Sequence, residues 1–154
     1  MAVSHEKQDD QGQYTEIHTG KYGFSISLPL TYDQAVPAVV EALGAEGFGV
    51  LTEIDVRDTL KKKLGVEFQR YLILGACNPP LAHKALQAEP DLGLLLPCNV
   101  VVHEEGTGTR VAFVDPQAML GVAANSALQP IADEVQARLR RVATRLRSAM
   151  RLEG

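Results

Sequence analysis

The stretch Phe68–Ala76 is apolar apart from Gln69 and Arg70, and it runs into the turn Cys77-Asn78-Pro79-Pro80. Consecutive prolines supply no backbone N–H, so a strand ladder cannot continue through them. Further along, Leu94-Leu95-Leu96-Pro97 leads into Cys98-Asn99 and a second strand-like run to Glu105. One strand thus ends at a Cys-Asn dipeptide and the next begins at one. Antiparallel pairing of the two would bring those ends together and place both thiols at one end of a sheet.

The remaining pattern is consistent with such a sheet. Tyr22, Phe24, Ile26 and Leu28 alternate with small residues, the period-two signature of a half-buried strand. Thr31 and Gln34 have capping-box spacing and open a helix with Val36, Val39, Val40 and Leu43 on one stripe; Gly47 closes it. A strand follows over Phe48–Ile54, then a short helix capped by Asp58 that carries Lys61, Lys62 and Lys63 and stops at Gly65. Leu81–Ala88 reads as another short helix. Gly106-Thr107-Gly108 joins two strands as a hairpin turn rather than as a phosphate loop. From Ser126 to Arg151, Ile131, Val135, Leu139, Val142 and Leu146 recur at helical spacing. The expected architecture is α+β, a mainly antiparallel sheet of five strands covered by helices and finished by a long C-terminal helix.

Residues 1–20 are polar, show no helix or strand period and read as a disordered tail, with His5 and His18 solvated within it. A single domain is expected over 21–152. The chain, at 154 residues, is long enough to bury a core without disulfides or metals. Net charge is −4, with no Trp, four Phe and four Tyr, so neither a basic surface nor an aromatic platform points to nucleic acid. The arginine-rich face of the last helix (Arg138, Arg140, Arg141, Arg145, Arg147, Arg151) is read as a solvated face with cations near a helix C-terminus. No apolar run approaches the ~18 residues needed to cross a bilayer, and the N-terminus lacks a secretion-signal pattern. Two cysteines do not read as a disulfide framework, and cytoplasmic residence is the expectation.

The candidate site centres on Cys77, Asn78, Cys98 and Asn99, with His83 on the adjoining helix and Met119 in the loop after the hairpin. Glu104 and Glu105 come from the strand that starts at Cys98. Three readings compete: thiol chemistry with two cysteines in disulfide range or one activated thiolate; a soft-metal or haem site using Cys77, Cys98, His83 and Met119; and cysteines that merely pack as small apolar residues. The Cys-x₂₀-Cys spacing matches no zinc or redox motif. No nucleophile elbow or HExxH sequence is present, and no cofactor is specified.

The segments Tyr71–Pro79, Leu95–Val102 and Asp115-Pro116 with Met119-Leu120, together with Gly47–Val56, resemble the family called domain of unknown function 302. The likeness covers about residues 21–150. It implies a fold similar to the TATA-binding-protein class, a curved, mainly antiparallel sheet of β-α-β₄-α type, in small bacterial or archaeal proteins for which self-association as a homodimer is an expectation. It implies no activity, and one fold hosts unrelated functions. Because the shared motifs are the two Cys-Asn turns and the 116–119 loop, the leading expectation is a non-enzymatic module that binds a small molecule or soft metal ion there. The alternatives are a thiol-redox or thiol-transfer enzyme, with Cys77 as nucleophile and Cys98 as resolver, and an oligomeric scaffold with structural cysteines.

Overall fold

A computed structural model describes residues 16–153. Six strands form one sheet in the order β1-β2-β6-β5-β4-β3, with every neighbouring pair antiparallel. They are β1 (Ile17–Thr19), β2 (Gly23–Leu28), β3 (Gly49–Asp55), β4 (Tyr71–Cys77), β5 (Cys98–Glu105) and β6 (Gly108–Val114). The helices are α1 (Tyr32–Ala45), α2 (Val56–Leu64), α3 (Pro79–Ala88), α4 (Pro116–Gly121) and α5 (Gln129–Glu153). Two short 3₁₀ turns, Pro90–Leu95 and Ser126–Leu128, complete the chain. The β-α-β₄-α order is present as β2-α1-β3-β4-β5-β6-α5, with α2, α3 and α4 inserted.

The sixth strand is a correction to the expected five. Ile17–Thr19 falls within the stretch read as a tail, yet it pairs with Phe24–Ile26. Its three residues, Ile-His-Thr, are too few to display an alternation. His18 lies on this strand and is exposed; His5 and the rest of residues 1–15 lie outside the described residues.

Strand parity sorts the sheet into two faces. Phe24, Ile26 and Leu28 of β2, Leu72, Leu74 and Ala76 of β4, Val100 and Val102 of β5, and Val111 and Phe113 of β6 are all buried. They form one core with Val39 and Leu43 of α1 and with Val135, Leu139, Val142 and Leu146 of α5. Phe24 and Phe113, opposite each other in the ladder, stack at 5.0 Å. Residues of the other parity (Tyr71, Ile73, Val101, His103, Arg110 and Ala112) are half-buried by their neighbours.

Local signals set the helix ends. Thr31 and Gln34 form the capping box: Gln34 N–H donates to Thr31 Oγ1 at 3.2 Å, and Thr31 N–H donates to Gln34 Oε1 at 3.1 Å. Gly47 has φ +85° just past α1, a conformation that L side chains avoid. The cap of α2 is Asp55 rather than Asp58: Asp55 Oδ1 accepts from Asp58 N–H at 2.9 Å, so the helix starts one turn earlier than expected.

The arginine face of α5 is not simply solvated. Glu46, the residue that ends α1, is only 5% exposed. Arg141 Nε–H donates to its Oε1 and Arg145 Nε–H to its Oε2, each at 2.6 Å, while Arg138 donates to its backbone carbonyl at 3.0 Å. Arg140 lies over the Phe24 ring at 4.2 Å. Four of the arginines thus join α5 to α1 and the sheet. The two guanidiniums hold the Glu46 carboxyl below its ordinary value of 4.5, against the upward push of burial. Its contribution to stability is therefore complete above that value and is lost as pH falls through the lower folded-state value. Glu46→Gln is expected to lower stability near neutral pH by about 2 kcal/mol. In urea unfolding series, the gap to the parent protein should narrow as pH falls below 4.5.

Candidate functional site

The β4–β5 ladder pairs Ala76 with Cys98 and Gly75 with Asn99. The two Cys-Asn turns therefore do meet at one end of the sheet, as antiparallel pairing requires. Parity then separates their side chains. Cys98 faces the core beside its partner Ala76 and is 7% exposed. Cys77, one residue beyond Ala76 along the strand, takes the opposite parity and is half-buried. Strand spacing puts the two Cα atoms about 6 Å apart, within reach of a bridge. A direct bridge also needs the Cβ atoms to converge, which alternating sides oppose unless the strand end rotates. Both cysteines are free.

The neighbourhood is close-fitted. A side chain at position 75 would collide with Thr52 Oγ1 and come within 2.8 Å of Pro97 Cγ, so only glycine allows Pro97 to lie against β4 there. Asn78 ends β4 and starts α3; its Oδ1 accepts from Leu81 N–H at 3.2 Å, and it is 8% exposed. Pro79 and Pro80 then occupy the first helical positions, where a missing N–H costs nothing. A β-carbon at Gly47 would lie 3.0 Å from Asn78 Nδ2 and 3.3 Å from an Arg138 nitrogen. The arginine clamp and the first Cys-Asn turn therefore meet at the end of α1.

Between these parts is a crevice of about 30 Å³ with apolar walls. Cys77, Asn78, Leu81, Ala82, Pro97 and Cys98 are among the residues that line it, and Phe48 is an unanticipated wall, signalled only as the residue after the Gly47 turn. Burial pushes the Cys77 thiol up, and burial followed by the nearby Cys77 pushes Cys98 up to about 11. Both therefore stand as neutral thiols at neutral pH, soft apolar walls rather than activated nucleophiles.

The other expected members disperse. His83 is exposed on α3 and does not line the crevice. Met119, expected in a loop, lies on helix α4 and is half-buried between the main core and a smaller cluster around Leu92, Leu120 and Leu128. Asn99, one residue past Cys98, is exposed on the opposite side of the sheet. Glu104 accepts from Arg70 N–H at 2.9 Å and Glu105 from Ser27 Oγ at 2.7 Å, so both carboxylates have local partners. Among the described residues, no three His, Cys, Asp or Glu side chains converge as a metal ion would need, and no helix is long and apolar enough to cross a membrane.

Fold and site together define an α+β domain with an open antiparallel sheet, marked by proline-flanked Cys-Asn turns at one end. The family model "Domain of unknown function DUF302" matches residues 24–146, and the chain belongs to that family. Its structure is similar to the crystal structure of an uncharacterized conserved DUF302 protein from Bacillus stearothermophilus. That similarity has a TM-score of 0.76 and 29% identity, and covers 82% of this chain and 99% of the other. No curated protein matches the sequence.

The raised thiols make a kinetic prediction. Iodoacetamide should alkylate Cys77 first, at a rate that climbs only toward alkaline pH, while Cys98 should react after unfolding. A fast phase at neutral pH, resolved by peptide mass analysis, would restore thiol catalysis as the better reading.

Proposed function

We propose that this domain is a non-enzymatic binding module whose crevice holds the short, uncharged apolar end of a small molecule. The observation that carries the proposal is the crevice itself: both Cys-Asn turns border it, its walls are apolar, and its two thiols are neutral. Its size restricts the occupant. A cavity of about 150 Å³ accommodates benzene, whereas about 30 Å³ admits a methyl-sized or thioether tip. Within this proposal, Cys77 and Cys98 serve as polarizable walls, and Asn78 fixes the start of α3 that forms one side.

Soft-metal binding has less support, because His83 stands away from the thiols and among the described residues no third ligand joins them. Thiol redox chemistry has less support as well, because burial raises both thiols and leaves neither activated as a thiolate. The packing-only alternative is separated from ligand binding by experiment. In a thermal-shift series of short-chain alcohols, carboxylates and thioethers, stabilisation should rise with probe concentration. Backbone amide shifts should centre on Ala76, Leu81 and Cys98. Ala82→Leu, which fills the crevice, should remove both effects while the protein stays folded. Uniformly absent stabilisation and shifts in the parent protein would favour the scaffold. A stoichiometric soft metal in the purified protein, found by elemental analysis, would favour the metal site.

A further inference from the structure

The second Cys-Asn dipeptide straddles the sheet: Cys98 enters the core, and Asn99 emerges exposed on the face opposite the α1 and α5 core. Asn99 there borders a second, larger hollow of about 340 Å³, within the range of small-molecule sites. Register composes its walls. Tyr71 lies opposite His103, and His103 opposite Arg110, so three side chains stand in one row across β4, β5 and β6. The Tyr71 and His103 rings are stacked, with centroids 5.2 Å apart and planes 3° from parallel. Val101 and Ala112, opposite each other in the next row, form an apolar floor. At one rim are Lys21 and Tyr22 from the turn between β1 and β2.

Charge sharpens the picture. Among the described residues the lining includes Lys21, Arg110 and His103 but no carboxylate, although the whole chain carries a net charge of −4. Arg110 meets Glu105 only loosely, at 3.7 Å, and Glu105 is already held by Ser27. A guanidinium matches a carboxylate in a planar, two-point contact. Aromatic rings offer stacking surface, and an exposed asparagine offers both a donor and an acceptor.

We propose that this open-face groove binds a small aromatic carboxylate. Arg110 and Lys21 bind the carboxylate, Tyr71 and His103 stack with or flank the ring, and Asn99 bonds to a polar ring substituent. The groove lies on the opposite side of the sheet from the crevice, so the proposal stands independently of the one above.

The test is a titration of the full chain with benzoate, followed by backbone amide shifts. Cyclohexanecarboxylate (no aromatic ring), benzamide (no charge) and inorganic phosphate serve as comparison probes. Benzoate should produce saturable shifts at Asn99, Val101, His103, Arg110 and Ala112, leaving Leu81 unmoved. The comparison probes should bind at least about fivefold more weakly. Arg110→Gln and, separately, Tyr71→Leu should weaken benzoate roughly tenfold, with unchanged spectra elsewhere certifying the fold. Equal binding of benzoate and cyclohexanecarboxylate would overturn the proposal, as would benzoate shifts that survive Arg110→Gln. A phosphate affinity matching that of benzoate would do the same, since it would mark a generic anion patch. Probe-free shifts at these residues that grow with protein concentration would assign the face to a second copy of the chain and also overturn it.

Discussion

Helix α1 is held to the rest of the molecule by arginines at both ends, and the geometry of the crevice depends on where that helix sits. At its C-terminal end, the buried Glu46 carboxylate is held by Arg141 and Arg145. At its start, Arg70 of the segment leading into β4 pairs both guanidinium nitrogens with Asp33, at 2.7 and 3.0 Å, and lies over Tyr32 at 4.1 Å. Planar, permanently charged guanidiniums suit both tasks, because they bond in two directions while lying against apolar rings. The Glu46 clamp sets the position of Gly47, against which Asn78 lies, and of Phe48, which closes one wall of the crevice. A structural contact between two helices thereby shapes a site at the end of the sheet.

The second controlling feature is the β4–β5 register. Pairing Ala76 with Cys98 brings the two Cys-Asn dipeptides together in space, yet the two-residue period of a strand sends their members to different places. Cys98 joins the core, Cys77 sits half-buried at the margin, Asn78 caps a helix, and Asn99 stands on the open face. A slip of one residue would exchange these roles and put an asparagine into the apolar core. The paired dipeptides are therefore one position in the fold seen from two sides, with an apolar crevice on one and a cationic, aromatic-walled groove on the other.

Much of the architecture was legible in the chain. The alternation at Phe24, Ile26 and Leu28, the Thr31–Gln34 box, the glycines that end α1 and α2, and the stripe along α5 all appear where local pattern placed them. Their information is carried by residues a few positions apart, which is why sequence alone could reveal it. Other features were not legible for equally physical reasons. Strand β1 is polar and three residues long, and takes its conformation from β2. Either Asp55 or Asp58 could cap α2, and the choice went to the residue at the end of β3. In the site, the meeting of the two turns could be inferred from strand direction. The outward turn of Asn99 follows from strand alternation after Cys98, but the positions of His83 and Met119 could not be inferred, because they depend on how α3 and α4 pack against elements elsewhere in the chain.

By itself, then, the sequence determined most of the strands and helices, where prolines and glycines stop them, and that the two Cys-Asn turns belong to neighbouring strand ends. Tertiary structure decided what those turns mean. The partners of Glu46 lie 92 to 99 residues along the chain, and the row Tyr71–His103–Arg110 exists only through ladder register. Turn and helix signals act through a few adjacent backbone units, whereas a cavity wall or a charged groove is made of side chains that only the folded register brings to one place.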